Sequence, residues 1–180
     1  MPQRSTDTRF FTNDERGTLL QRFKQTLRHV DKFDVLVGYF RASGFYALYK
    51  DLEKVNKIRI LNGLDVDSKT FQAFSESQQE LGFDSAAKAK ENYAKRVEEE
   101  VIESEDNHQT FEGYQKFVEY LKSNKIELKQ HPSHKLHAKV YISRFGGSVA
   151  DIDFGRVITG SSNFSRSGLI DNHEFNVELK

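Results

Sequence analysis

KLHAKVYIS, Lys135 to Ser143, has the alternation of a β-strand. Successive strand side chains point to opposite faces, so His137, Lys139 and Tyr141 share one face and Leu136, Ala138, Val140 and Ile142 the other. The second set is wholly apolar and is the face expected to meet the core. The first set carries an imidazole and an ammonium about 7 Å apart along the strand, at its start. That pair suits an anionic ligand: lysine neutralises oxygens and donates to them, and histidine attacks or moves a proton.

Downstream lies RVITG at 156–160, a further strand, which runs into TGSSNFSRSG, Thr159 to Gly168. Small hydroxyl residues, an amide and glycines at a strand end make a tight loop of donors able to point at a phosphate. DNHEFNVEL then sets Glu174 at the head of a last strand, 174–180, where its carboxylate could orient the imidazole of His137. Singly these features are weak. An H-x-K on a strand is commonly surface chemistry of no consequence, and a Ser/Asn/Gly loop is ordinarily only a turn. Their order is the signal.

Upstream, Leu19, Leu20, Phe23 and Leu27 recur at helical spacing and predict a helix over 14–31. DVLVGYF, Asp34 to Phe40, is a continuous apolar run expected of a strand covered on both faces. Phe45, Leu48, Tyr49 and Leu52 give the stripe of a second helix, and KIRILNGL, Lys57 to Leu64, a second strand ending at Gly63. Strand, helix and strand in that order predict a βαβ unit with a right-handed crossover. Residues from about 70 to 123 read as a helical insertion. Within it a surface-helix region carries Tyr93, Val97, Val101 and the acidic VEEEVIESED, a solvated face or a docking surface. A later helix carries Phe111, Tyr114, Phe117, Val118 and Leu121 and stops at Asn124. IELKQ at 126–130 returns the chain to strands. The class is α/β: a mixed central sheet flanked by helices, in one domain over 1–180.

The 180 residues suffice for one core and are short for two. No cysteine excludes a disulfide framework, a thiolate nucleophile and Cys-ligated zinc. A formal charge of zero excludes a uniformly basic nucleic-acid coat, though not local basic surface. No run approaches the roughly 18 apolar residues of a membrane span, and the N-terminus lacks the pattern of a secretory signal, so a cytoplasmic location is expected.

HAKVYI followed by TGSSNFSRSGLIDNHEFNVEL resembles the signature of the phospholipase D superfamily: H-x-K, usually an Asp further on, then G-S-x-N. DVLVGYFRASGF and KIRILNGL resemble that family's opening strands. The likeness is nearest to the phospholipase D-like nuclease domains fused N-terminally to bacterial helicases of the Swi/Snf and DEAD types, as if excised from a longer protein. The resemblance implies that His137 is the nucleophile that forms a phosphohistidine. It implies that Lys139, Ser161 and Asn163 hold phosphate oxygens, and that Glu174 bonds the far imidazole nitrogen. It also implies no metal and no cofactor. One position departs from the pattern: the family Asp, five residues after the lysine, falls at Arg144.

The family's second active-site histidine has no counterpart. His131 and His134 precede His137 by steps of three, which do not keep a strand face, and they do not make a convincing metal site. A complete site therefore requires two copies of the chain, with two His137 side chains flanking one phosphate. The expected function is a metal-independent nuclease or phosphodiesterase acting as a homodimer on nucleic acid, DNA before RNA, beside a helicase domain. The alternative is a catalytically degenerate module that only grips nucleic acid for that helicase. Lipid hydrolysis is disfavoured, since no amphipathic membrane-facing segment is present.

Overall fold

The computed structural model describes residues 8–14, 17–79, 107–131 and 135–180. Among these residues there are seven strands: β1 (Thr8–Thr12), β2 (Val30–Phe40), β3 (Lys57–Val66), β4 (Ile126–Gln130), β5 (Lys139–Phe145), β6 (Gly155–Gly160) and β7 (Phe175–Leu179). They form one sheet in the order β1-β7-β6-β5-β2-β3-β4. The helices are α1 (Leu19–Thr26), α2 (Ala42–Leu48), α3 (Ser68–Gln79) and α4 (Asn107–Lys122), with short 3-10 turns at Leu27–His29, Asp51–Lys54 and Gly147–Asp151. β2, β3 and β4 are parallel, and β5, β6, β7 and β1 extend the sheet antiparallel from β2. The mixed α/β class and the βαβ unit predicted at 34–64 are therefore present.

Several boundaries differ from expectation for local reasons. The first helix starts at Leu19, not 14: Thr18 and Gln21 form a reciprocal capping box. Asn13 Oδ1 accepts from the Leu19 N–H at 2.8 Å. Residues 8–12 form a strand that the sequence did not suggest, because the partner it pairs with is β7, far along the chain. Asn124 does stop its helix, at φ 56°, with Lys57 Nζ on its carbonyl at 2.6 Å. Phe111, expected on the apolar stripe of α4, is instead 62% exposed. The acidic run 97–106, Tyr93 and His134 lie outside the described residues.

The face assignment of β5 is the main correction. Lys139, Tyr141 and Ser143 are the buried set, whereas Val140 is half-buried and Ile142 is 36% exposed. The face that carries the chemistry is thus the one packed under the helices. Tyr141 sits edge-on to Phe23 of α1, centroids 5.0 Å apart, and Phe33 and Phe164 flank it. β2 alternates likewise: Phe33, Val35 and Val37 are buried while Asp34 and Leu36 are half-buried, so the run is not equally covered on both faces. Leu36 pairs across the second face with Leu61 and Val140.

β2 changes phase near its end. Val37 pairs with Asn62 but Tyr39 with Asp65, so two residues of β2 span three of β3. Beyond this slip Phe40 enters the core, stacked on Phe164 at 5.1 Å and 6°, and Tyr39 turns to the rim at 36% exposure. Asp67, just past β3, accepts from the Ala42 N–H at 3.0 Å and the Thr70 N–H at 3.0 Å. One carboxylate thereby caps the starts of α2 and α3.

Candidate active site

His137 lies just before β5, not within it; residues 135–138 lead into the strand without joining it. Two glycines let this segment approach the sheet. A side chain on Gly63 would meet the Leu136 carbonyl oxygen at 2.0 Å, and one on Gly38 would meet His137 Cδ2 at 3.0 Å. The Gly38 N–H donates to the Ala138 carbonyl at 2.9 Å, prolonging the β2–β5 ladder towards His137.

The imidazole is exposed, and Lys139 Nζ lies 3.2 Å from both of its ring nitrogens. The same ammonium donates to the His137 carbonyl at 3.1 Å. The pair is therefore in contact, far closer than the 7 Å backbone repeat along a strand would suggest. Only 8% of Lys139 is exposed. Burial lowers its pKa from the ordinary lysine value, and the charge of Glu174 partly opposes that shift. Lys139 thus has a buried stem and a partly buried cation at the edge of the exposed imidazole, where an incoming anion can meet it.

The second wall is the loop after β6. Tyr141 Oη donates to the Ser162 carbonyl at 2.7 Å and ties that loop to β5. Burial holds the Tyr141 phenol well above its ordinary pKa, so it remains a donor. Ser162 is fully buried and its Oγ accepts from Asn176 Nδ2 at 3.0 Å. A single π-helical turn, Ser167–Asp171, follows, and a side chain on Gly168 would meet the Asn163 carbonyl oxygen at 2.4 Å.

The predicted site residues take distinct places. Asn163 Oδ1 accepts from the Tyr39 N–H at 3.2 Å, which leaves its amide NH2 as the group available to a ligand. Ser161 is exposed, yet its hydroxyl donates to Glu174 Oε2 and accepts from the Phe175 N–H at 3.0 Å. Glu174 Oε1 accepts from Asn172 Nδ2 at 3.2 Å. Its carboxylate is committed to the loop, and its influence on the His–Lys pair is the charge felt by Lys139. Arg144 lies at the far end of β5, with its guanidinium on Asp34, which Arg59 also holds at 2.7 Å through both Nε and Nη2. Position 144 therefore belongs to a surface ion cluster away from His137. Among the described residues no three His, Asp or Glu side chains gather as a metal-holding cluster.

Tyr39 is the neighbour of the candidate site that sequence reasoning missed. Its ring stands perpendicular to the His137 ring, at 88° with centroids 6.1 Å apart. The Arg41 guanidinium lies 5.9 Å from the Tyr39 ring centre, and the Arg41 N–H donates to the Phe164 carbonyl at 2.9 Å. The end of β2 thus touches both the His–Lys segment and the donor loop. Gly38, a glycine inside an apolar run, was the available signal of close backbone approach.

A family model described as "Cardiolipin synthase, PLD-like domain" matches residues 20–180. No curated protein matches the chain. Among solved structures, yeast tyrosyl-DNA phosphodiesterase superposes over 96% of this chain and 32% of its own, at 12% identity and a TM-score of 0.51. NucT from Helicobacter pylori covers 97% of this chain and 86% of its own at 11% identity, TM-score 0.48. Nuc from Salmonella typhimurium, titled a phospholipase D family member, covers 97% and 83% at 13% identity, TM-score 0.47. At such identities the likeness to the yeast enzyme is one of fold. No described helix is long and apolar enough to cross a membrane.

Proposed function

The chain belongs to the phospholipase D-like family, and from that premise we propose that it hydrolyses nucleic-acid phosphodiesters through a phosphohistidine on His137. The observation that carries this reading is the contact between Lys139 and His137, the ammonium of a mostly buried lysine beside an exposed imidazole. A phosphate oxygen that draws Lys139 towards itself relieves the ring nitrogens of that ammonium and leaves one lone pair for attack. The P–N bond forms as the P–O bond to the leaving nucleoside breaks, and the leaving oxygen takes a proton from a second imidazole. Water then attacks phosphorus, gives its proton to that imidazole, and the P–N bond breaks. The Asn163 amide and Lys139 neutralise the oxygens throughout. No metal enters these steps.

The second imidazole is His137 of another copy, so the working form is a two-fold dimer. DNA is the substrate class we favour, with its selection left to attached domains such as a helicase. The test is cleavage of labelled single- and double-stranded DNA and RNA in excess chelator. The wild type should cleave, and His137→Asn should not while melting normally. Activity lost in chelator and restored by a divalent ion would overturn the chemistry. Nucleic-acid binding without cleavage would leave the binding-module reading instead.

A further inference from the structure

An attacking imidazole needs an orienting partner, and in many histidine sites a carboxylate on the far nitrogen supplies it. Here the Glu174 oxygens are engaged by Ser161 and Asn172. Lys139 approaches both ring nitrogens equally and does not favour one. Among the described residues, the end of β2 also meets the ring: Gly38 against Cδ2 and the Tyr39 ring at 88°. Tyr39 is also fixed in its own right. Its N–H is held by Asn163, the register slip before it turns its side chain to the rim, and the Arg41 guanidinium lies near its ring.

We infer that Tyr39 is a positioning residue for this reaction: its ring sets the orientation of the His137 imidazole, the task that Glu174 does not perform here. Because the Tyr39 N–H also holds the Asn163 side chain through Oδ1, one residue fixes the nucleophile with its side chain and a phosphate donor with its backbone. The inference rests on the hydrolase reading for its kinetic consequence, though not for its structural one.

Side-chain variants leave the backbone bond to Asn163 in place and so isolate the ring. Tyr39 is partly exposed, so Tyr39→Leu is expected to fold, with thermal melting as the control. In Tyr39→Leu, kcat for nucleic-acid cleavage should fall about ten- to a hundred-fold with KM little changed, as expected for a misoriented nucleophile. Tyr39→Phe keeps the ring and should recover most of the rate. The order parameter of the His137 imidazole C–H bonds, from carbon relaxation, should fall in Tyr39→Leu and be retained in Tyr39→Phe. An unchanged His137 order parameter in Tyr39→Leu, a loss confined to KM, or no recovery by Tyr39→Phe would each overturn the inference. Should the wild type cleave no phosphodiester, the hydrolase reading falls while the relaxation comparison still decides whether Tyr39 orients His137.

Discussion

The hydroxyl of Tyr141 reaches from β5 to the Ser162 carbonyl at 2.7 Å, with both residues buried. It is a strut between the strand that carries Lys139 and the loop that carries Asn163. Tyr141→Phe keeps the ring packing and deletes only this donor, leaving a buried carbonyl unpaired. The expected cost is about 1–2 kcal/mol of folding stability, read from urea unfolding. Cleavage should also fall, since the Asn163 amide loses its fixed distance from Lys139. An unfolding midpoint equal to that of the wild type would mean that the strut contributes nothing.

Lys139 makes an opposite kind of prediction. Its folded pKa lies below the ordinary value because burial disfavours the charged form. The unfolded chain therefore binds more protons between the two values, and stability rises with pH across that window. At neutral pH the charge works against the fold. Lys139→Met should abolish cleavage yet melt at or above the wild-type temperature. Inorganic phosphate should raise the melting temperature of the wild type and leave that of the variant unmoved. A variant that melts lower, or that still responds to phosphate, would contradict this placement.

Arg144 occupies the position of the family Asp, but its partner is Asp34 on the neighbouring strand. Burial pushes the Asp34 carboxyl up, and hydrogen bonds from Arg59 and Arg144 outweigh it, so the net pKa is lowered. That contribution is present above the unfolded value and is lost as pH falls through the folded one. Arg144→Ala should leave cleavage within about two-fold and cost no more than about 1 kcal/mol, as for an exposed pair. Arg144→Asp, which restores the family residue, should not raise activity and should lower the melting temperature by setting two carboxylates side by side. A gain in activity from Arg144→Asp would return position 144 to the mechanism.

The sequence made the candidate site legible as a motif in local order, His137, Lys139, Ser161, Asn163 and Glu174, whose spacing is read without any knowledge of packing. It misled on the face of β5 because polarity was taken as exposure. Lys139 and Ser143 are buried although polar, and Ile142 is exposed although apolar, since the helices cover the side that bears the motif. Residues 8–12 gave no strand signal because their pairing is with β7, distant in sequence. Tyr39 escaped for a similar reason. Its approach to His137 depends on the slip between β2 and β3 and on room left at Gly38, both set by pairings distant in sequence.

The last prediction concerns assembly. The chain offers one H-x-K, and the ring of His137 has Lys139, Gly38 and Tyr39 beside it. A phosphohistidine route needs a proton for the leaving oxygen, and Lys139 at reduced basicity is already assigned to the phosphate charge. If two chains share one site, a dimer with one His137→Ala subunit lacks either the nucleophile or the acid. Mixed and re-equilibrated at equal amounts, wild-type and His137→Ala chains should retain about a quarter of the wild-type activity per total protein, against about half for independent sites. Light scattering at assay concentration should report a dimer, and dilution below its dissociation constant should abolish turnover. A monomer that remains fully active, or a mixture that keeps half the activity, would show that the proton comes from a group within one chain.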